Sequence, residues 1–285
     1  MIDMSRPQAD WLASLCDEAM AVAIDDALAD LAAVDSDAAA QLRRRLLACT
    51  TFAMSDVFGK TASPEVLLQR IEHIEGGVAI GYEALARFGR TMDSGRVFAT
   101  AGEYGLGVDL ELTTLRAAVT RLEEIPAHTF LGLNLSAKAL ADPGVESVLE
   151  QIDLGRVVIE LTQQTEIVDV QELRRRVDRL QQNGAVVAVD GAGTGFFQGP
   201  RVAELQPEMI KIASVLVVGC DASDVQRSEI AALIAVGRRI GATVVATGVE
   251  RTQERDVVAS LGVDAVQGYL IGRPAVAAQL DMVGI

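Results

Sequence analysis

Seven polar residues of this chain each stand late in an otherwise apolar run: Glu83, Asn134, Glu160, Asp190, Lys211, Thr247 and Gln267. Glu83, Asn134, Glu160 and Asp190 supply three carboxylates and an amide, an all-oxygen donor set suited to a hard cation such as Mg²⁺, Mn²⁺ or Ca²⁺. Without a cation, three carboxylates brought together repel, and at least one holds its proton more tightly than usual. The ammonium of Lys211 would relieve that repulsion, contact a phosphate oxygen or polarise a nucleophilic water. Taken singly, each residue is as well explained as a strand cap or a satisfied buried polar group. Their chemistry depends on whether the fold brings them together.

The elements that carry them alternate. Strand-like runs cover residues 78–85, 130–136, 157–162, 185–190, 209–213, 243–249 and 265–270, several of them nearly continuous in β-branched residues, as buried parallel strands are. Amphipathic helices are predicted over 110–122, 145–152, 170–182, 225–240 and 252–261. Repeated βα units give either a doubly wound sheet or a barrel. In an open sheet only residues near the switch point could meet, whereas a closed barrel gathers every strand's C-terminal end on one face. Seven strands with one polar residue each therefore predict an α/β fold closed as a TIM-like (β/α)₈ barrel. A dinucleotide-binding loop at Gly191-Ala192-Gly193-Thr194-Gly195 is the competing reading, but Phe196 stands where the third fingerprint glycine belongs.

Residues 1–63 read differently. Trp11, Leu12, Leu15, Met20, Val22, Leu28 and Leu31 recur at helical spacing, and a second helix is expected from Ala38 toward Phe58. This segment is expected to be a helical arm that packs on the main domain, residues 64–285, or on a second subunit, and it is the candidate surface for a protein partner. Half of the 285 residues are hydrophobic, enough for a large core, and the formal net charge of -15 argues against nucleic acid or an anionic membrane as partner. Cys16, Cys49 and Cys220 lack metal-ligand spacing, and His73 and His128 lack ligand-spaced partners. The stretch before Trp11 lacks the basic flank and apolar run of a signal peptide, and the longest apolar stretch, 212–220, is too short to span a bilayer. A cytoplasmic protein is expected.

Read in order, the motifs around these residues resemble those of the EAL family of cyclic-di-GMP phosphodiesterases. Tyr82-Glu83-Ala84-Leu85-Ala86-Arg87 is similar to the signature that names the family, Asn134-Leu135-Ser136 to its second motif and Glu160-Leu161-Thr162 to its third. Val189-Asp190-Gly191-Ala192-Gly193-Thr194-Gly195-Phe196 resembles the Asp-Asp-Phe-Gly-Thr-Gly loop, and Ile210-Lys211-Ile212-Ala213 resembles Ile-Lys-Ile-Asp. Ala246-Thr247-Gly248-Val249-Glu250 resembles Ala-Glu-Gly-Val-Glu, and Val266-Gln267-Gly268-Tyr269-Leu270 the last strand. The likeness runs from about Leu67 onward.

The resemblance implies a dimeric barrel that cleaves the cyclic dinucleotide to a linear one with two Mg²⁺ or Mn²⁺ ions. One ion would be held at Glu83, Asn134, Glu160 and Asp190, all retained. The second site and the water-activating group would rely on carboxylates at positions that are Gly191, Ala213 and Thr247 here, and Gln163 replaces a loop-anchoring glutamate. Ligand contacts implied outside the metals fall on Gln69, Arg87, Asp109, Glu250, Gln267 and Pro274, with Arg70 replacing a usual proline beside Gln69. A two-metal reaction needs both ions, and loss of one general base costs about 10²–10⁴-fold. The expectation is a degenerate member with a single Mg²⁺ or Mn²⁺ site and at most a residual role for Lys211. It would bind cyclic-di-GMP as a homodimer rather than hydrolyse it. The alternatives are an interaction module without ligand and a weak phosphodiesterase.

Overall fold

Along most strands an apolar residue and the polar residue two positions later share one face, because side chains alternate sides along a β-strand. Val158 precedes Glu160, Ala188 precedes Asp190, Met209 precedes Lys211 and Ala265 precedes Gln267. A barrel built from such pairs has an apolar lower interior and a polar upper one. The computed structural model describes residues 64–88, 93–103, 105–162 and 169–280 and has that arrangement. The expected N-terminal helical arm, residues 1–63, lies outside the described residues, as does Gln163.

Eight strands close into a barrel in sequence order: β1 Glu65–His73, β2 Ala79–Arg87, β3 Phe130–Ser136, β4 Val157–Thr162, β5 Val186–Ala192, β6 Met209–Ile212, β7 Thr243–Ala246 and β8 Ala265–Gln267. The closure removes the open-sheet and dinucleotide-loop readings, because there is no switch point where such a loop could work. One departure from a strict βα repeat stands out. β1, unforeseen from the sequence, runs antiparallel to both neighbours, β2 and β8, while every other pairing is parallel. β1 and β2 are joined by a short turn in which Arg70 donates to the Gly77 carbonyl at 2.6 Å.

The helices follow the parallel strands: α1 Ser94–Glu103 and α2 Gly107–Val119 after β2, α3 Pro143–Leu149 after β3, α4 Val170–Gln182 after β4, and α5 Gly199–Leu205 after β5. The short α6 Ser214–Val217 and the long α7 Asp224–Ile240 follow β6, and α8 Thr252–Leu261 follows β7. Their starts are chemically marked. Asp142, Asp169 and Ser223 each accept a backbone N–H of the first turn of α3, α4 and α7. Outward-facing Leu131, Leu133 and Leu135 of β3 pack with Leu115 and Ala118 of α2, and Ile210, Val244 and Ile234 pack on the other side. Inside the barrel, Ile71, Val158, Ala188, Met209, Val245 and Ala265 form a separate apolar layer at the bottom. Among the described residues no helix is long and apolar enough to cross a membrane.

Candidate functional site

Side chains inside a barrel stack in layers, each contributed by alternate strands. The polar half follows that rule. The even strands β2, β4, β6 and β8 supply Glu83, Glu160, Lys211 and Gln267, all buried, with Glu160 0% and Lys211 1% exposed. From the odd strands and their ends come Asn134, Asp190 and Thr247, all partly exposed, with the buried Gln69 of β1 beside them.

The even layer is internally bonded. Lys211 donates to Glu83 Oε2 at 2.6 Å and to Glu160 Oε2, so one ammonium joins strands from opposite sides of the barrel. Gln267 donates to Glu83 Oε2 at 2.7 Å and to Gln69 Oε1 at 3.1 Å, and Asn134 donates to Glu83 Oε1 at 2.8 Å. Glu160 Oε1, by contrast, is buried without a hydrogen-bond partner. That oxygen lies over Gly132 of β3, where a Cβ would overlap it.

The electrostatics follow from this crowding. Burial, reinforced by the neighbouring charges of Glu83 and Asp190, pushes the Glu160 carboxyl up to about 8 against the opposing pull of Lys211. Burial likewise raises Asp190, with Glu83 adding to it, while Lys211 and the Gly191 N–H oppose. Burial alone would raise Glu83 too, but the charge of Lys211 and its bonds from Lys211, Asn134 and Gln267 bring it below the usual range. Burial works against the Lys211 charge, and the three surrounding carboxylates more than offset it, so the lysine stays protonated.

Two cavities meet at Glu83. A mouth cavity of about 360 Å³ is bordered by Glu83, Asp190, Lys211, Gln69, Gln267 and Thr247, with exposed Glu250 and half-exposed Tyr269 at its rim. A smaller side cavity of about 210 Å³ holds Arg87, Asn134 and Thr162. The expected ligand contacts therefore divide: Gln69, Glu250 and Gln267 share the mouth, Arg87 faces the side cavity, and Asp109 and Pro274 line neither. Gln69 is well held despite Arg70 beside it, since it donates to the Gly272 carbonyl at 3.0 Å. Arg87 donates to the Ala86 carbonyl at 3.0 Å.

Of the three positions without a carboxylate, Thr247 borders the mouth, and Gly191 and Ala213 do not. Thr247 turns its hydroxyl away, onto the Ile212 carbonyl at 2.7 Å, and Ala213 is a buried methyl. Gly191 adopts φ +70°, a left-handed conformation that favours glycine. By donor chemistry Glu83, Asn134, Glu160 and Asp190 fit a hard cation, but the arrangement does not yet serve one. Both Glu83 oxygens are engaged, and among the described residues no three acidic, His or Cys side chains are grouped to hold a metal ion.

Two buried carboxylates escaped the sequence reading. Glu111 of α2 accepts from the Ser136 N–H at 2.6 Å and the Ser136 hydroxyl at 2.7 Å, fixing the turn that follows Asn134. Glu254 of α8 accepts from the Gly219, Glu250 and Arg251 N–H groups at 2.9, 2.9 and 3.1 Å and from the Arg251 guanidinium. It thus joins the loop after β6 to the segment carrying Glu250. Neither was anticipated, because a lone Glu in an amphipathic helix reads as solvent-facing.

Comparison with known proteins places these features. The EAL domain model matches residues 65–274. The chain is 27% identical over 226 residues to the uncharacterized protein y4lL of Sinorhizobium fredii, covering 75% of this chain and 27% of that protein. It is 28% identical over 184 residues to the cyclic di-GMP phosphodiesterase PdeF of Escherichia coli, covering 61% and 24%. The chain spans about a quarter of the length of these two relatives. Among solved structures, the PaMucR phosphodiesterase in complex with c-di-GMP superposes with a TM-score of 0.68 at 24% identity, covering 76% of this chain and 94% of that one. The Klebsiella pneumoniae BlrP1 calcium and cy-diGMP complex gives 0.68 at 24% identity, covering 76% and 57%. At those identities the two structures bear on the fold.

Proposed function

The chain belongs to the EAL domain family, and we propose that it is a catalytically impaired member that binds cyclic-di-GMP at the barrel mouth and signals by binding. The observation that carries this reading is the uneven state of the two layers. The buried even layer keeps Glu83, Glu160, Lys211 and Gln267 locked together, while the open layer has Asp190 as its carboxylate and Thr247 bonded to backbone. Among the described residues lining the mouth, Asp190 is the one partly buried carboxylate outside the locked layer, and it belongs to the first cation set; Glu250 stands exposed at the rim. Binding needs neither a second cation nor a water-activating base. An exposed carboxylate at Glu250 suits the N1–H and N2–H donors of a guanine, the Gln69 and Gln267 amides offer polar contacts, and the Arg87 guanidinium suits a phosphate.

A divalent ion, where held by Glu83, Asn134, Glu160 and Asp190, would supply charge neutralisation for a phosphate. The chain's own contribution is to orient the dinucleotide between Glu250 and Arg87. The relatives solved with manganese or calcium and cyclic-di-GMP support this choice of ligand. A homodimer belongs to the same proposal, with Val215 and Val225, 64% and 69% exposed, as available apolar surface. The test is calorimetry with cyclic-di-GMP, first in EDTA and then in Mg²⁺ or Mn²⁺, followed by chromatography of the nucleotide. Binding with the nucleotide unchanged is the expected result. Linear product overturns the impairment, and no heat under any condition overturns the receptor.

A further inference from the structure

A cation site by donor chemistry already contains a cation. Lys211 is 1% exposed, and its ammonium sits between the carboxylates of Glu83 and Glu160. Fully ionised, Glu83, Glu160 and Asp190 carry three negative charges against this one positive charge. The ammonium is held by carboxylates on two strands, β2 and β4, neither of them adjacent to β6. Glu83 has no oxygen left over: Asn134 takes one, and Lys211 and Gln267 share the other. Among the described residues, the one buried carboxylate oxygen without a hydrogen-bond partner, Glu160 Oε1, lies over Gly132 on the side of β3.

We infer that Lys211 is the resident cation of this cluster, and that a divalent ion and the Lys211 ammonium are competing occupants of the Glu83–Glu160 pair. The inference rests on reading the mouth as the ligand site and concerns how that site is regulated. With the ammonium in place the barrel is assembled without metal, and nucleotide meets a pre-formed mouth. Entry of a divalent ion requires the ammonium to give up Glu83 Oε2 and Glu160 Oε2, so metal binds more weakly than the oxygen donors alone would dictate. The direction is fixed by charge: removing the lysine takes a positive charge out from among the same donors and vacates a position between two of them.

The experiment titrates Mn²⁺ alone into the full chain by calorimetry at fixed pH, without nucleotide, and compares the wild type with Lys211→Met and Lys211→Gln. Both variants are expected to bind Mn²⁺ at least tenfold more tightly than wild type. They should also melt at lower temperature than wild type in EDTA and recover in Mn²⁺, since metal then replaces the lost ammonium. Equal or weaker Mn²⁺ binding by the variants overturns the inference. Should neither variant fold, reductive methylation of the wild type read by mass spectrometry decides. Mn²⁺ should speed labelling of Lys211 as the ammonium leaves its carboxylates, and unchanged protection would sink the idea. Because nucleotide is absent throughout, failure here leaves the cyclic-di-GMP reading standing, and a failure of that reading shows in the nucleotide calorimetry instead, so the two failures are told apart.

Discussion

Gly132 and Glu160 lie on adjacent strands two positions apart in register, and the carboxylate of Glu160 leans back into the space where Gly132 would carry a side chain. β3 leaves its inward position empty one layer below Asn134, and Glu160 leans into the gap. The gap lets a carboxylate be buried at full depth within the ring.

Gly132→Ala should therefore be destabilising, although alanine ordinarily suits a strand interior better than glycine. Overpacking at a buried site costs about 1–3 kcal/mol. The midpoint of urea unfolding should fall with an unchanged slope. A variant as stable as the wild type would mean that Glu160 has room to retreat.

The raised Glu160 carboxyl sets the sign of a pH effect. A folded-state value of about 8 against an ordinary 4.5 means that the folded protein holds this proton more firmly than the unfolded chain does. The stabilisation is fully present below about pH 4.5 and is lost as pH rises through about 8, with a slope of up to about 1.4 kcal/mol per pH unit. In EDTA, melting temperature should decline between pH 5 and 8 more steeply for the wild type than for Glu160→Gln. Asp190 and Glu111, also raised, act in the same direction in both proteins, so the difference between the two reads the Glu160 proton together with its effect on Glu83, Asp190 and Lys211. Parallel profiles would show that Glu160 does not titrate in this window.

Glu254 is fully buried and holds five N–H groups from two loops. Glu254→Ala strands those donors, each unsatisfied group costing about 1–3 kcal/mol, although water can reach some of them. We expect a loss of about 2–4 kcal/mol on urea unfolding. Cyclic-di-GMP affinity should weaken about tenfold as Glu250 loses its anchor, and Glu254→Gln should recover part of both. Unaltered affinity in a destabilised Glu254→Ala protein would separate Glu254 from ligand binding.

If lost carboxylates explain the proposed impairment, returning them should return turnover. Gly191→Asp, Ala213→Asp and Thr247→Glu together, in Mn²⁺, should raise linear product over wild type by about 10²-fold or more. The Gly191 change carries a cost of about 1 kcal/mol, because φ is +70° there, though Asp tolerates that region better than most residues. Product formation by the wild type at the level of the triple variant would refute the premise.

The polar ring was legible because each member interrupts an apolar run, and the seven strands that carry it were located from those runs. β1 was not legible. Its Glu65-Val66-Leu67-Leu68-Gln69-Arg70-Ile71-Glu72-His73 stretch mixes faces, and its partners β2 and β8 are fixed by tertiary pairing rather than by local pattern. Helix α1, with Gly95 and Gly102 in a ten-residue span, and the short α5, begun by Gly199-Pro200, carry too little periodicity to be found. Gly132 was a visible signal, a glycine inside an apolar strand, that went unread. Glu254 was hidden by Arg251 at the N-cap, where a serine or threonine would have announced the capping pair. The division of the ring into a buried and an open layer needs the barrel's geometry and has no trace in spacing alone.

The antiparallel β1 also has a kinetic meaning. It is the stave that seals the cylinder, bonded on one flank to its immediate neighbour in the chain and on the other to β8, so that Gln69 and Gln267 touch across 198 residues. Such a seam forms late, because its loop-closure entropy is paid before the contact repays it. Until translation delivers the final stave, the nascent cylinder exposes two raw edges, and a chain cut short before Ala265 would keep them.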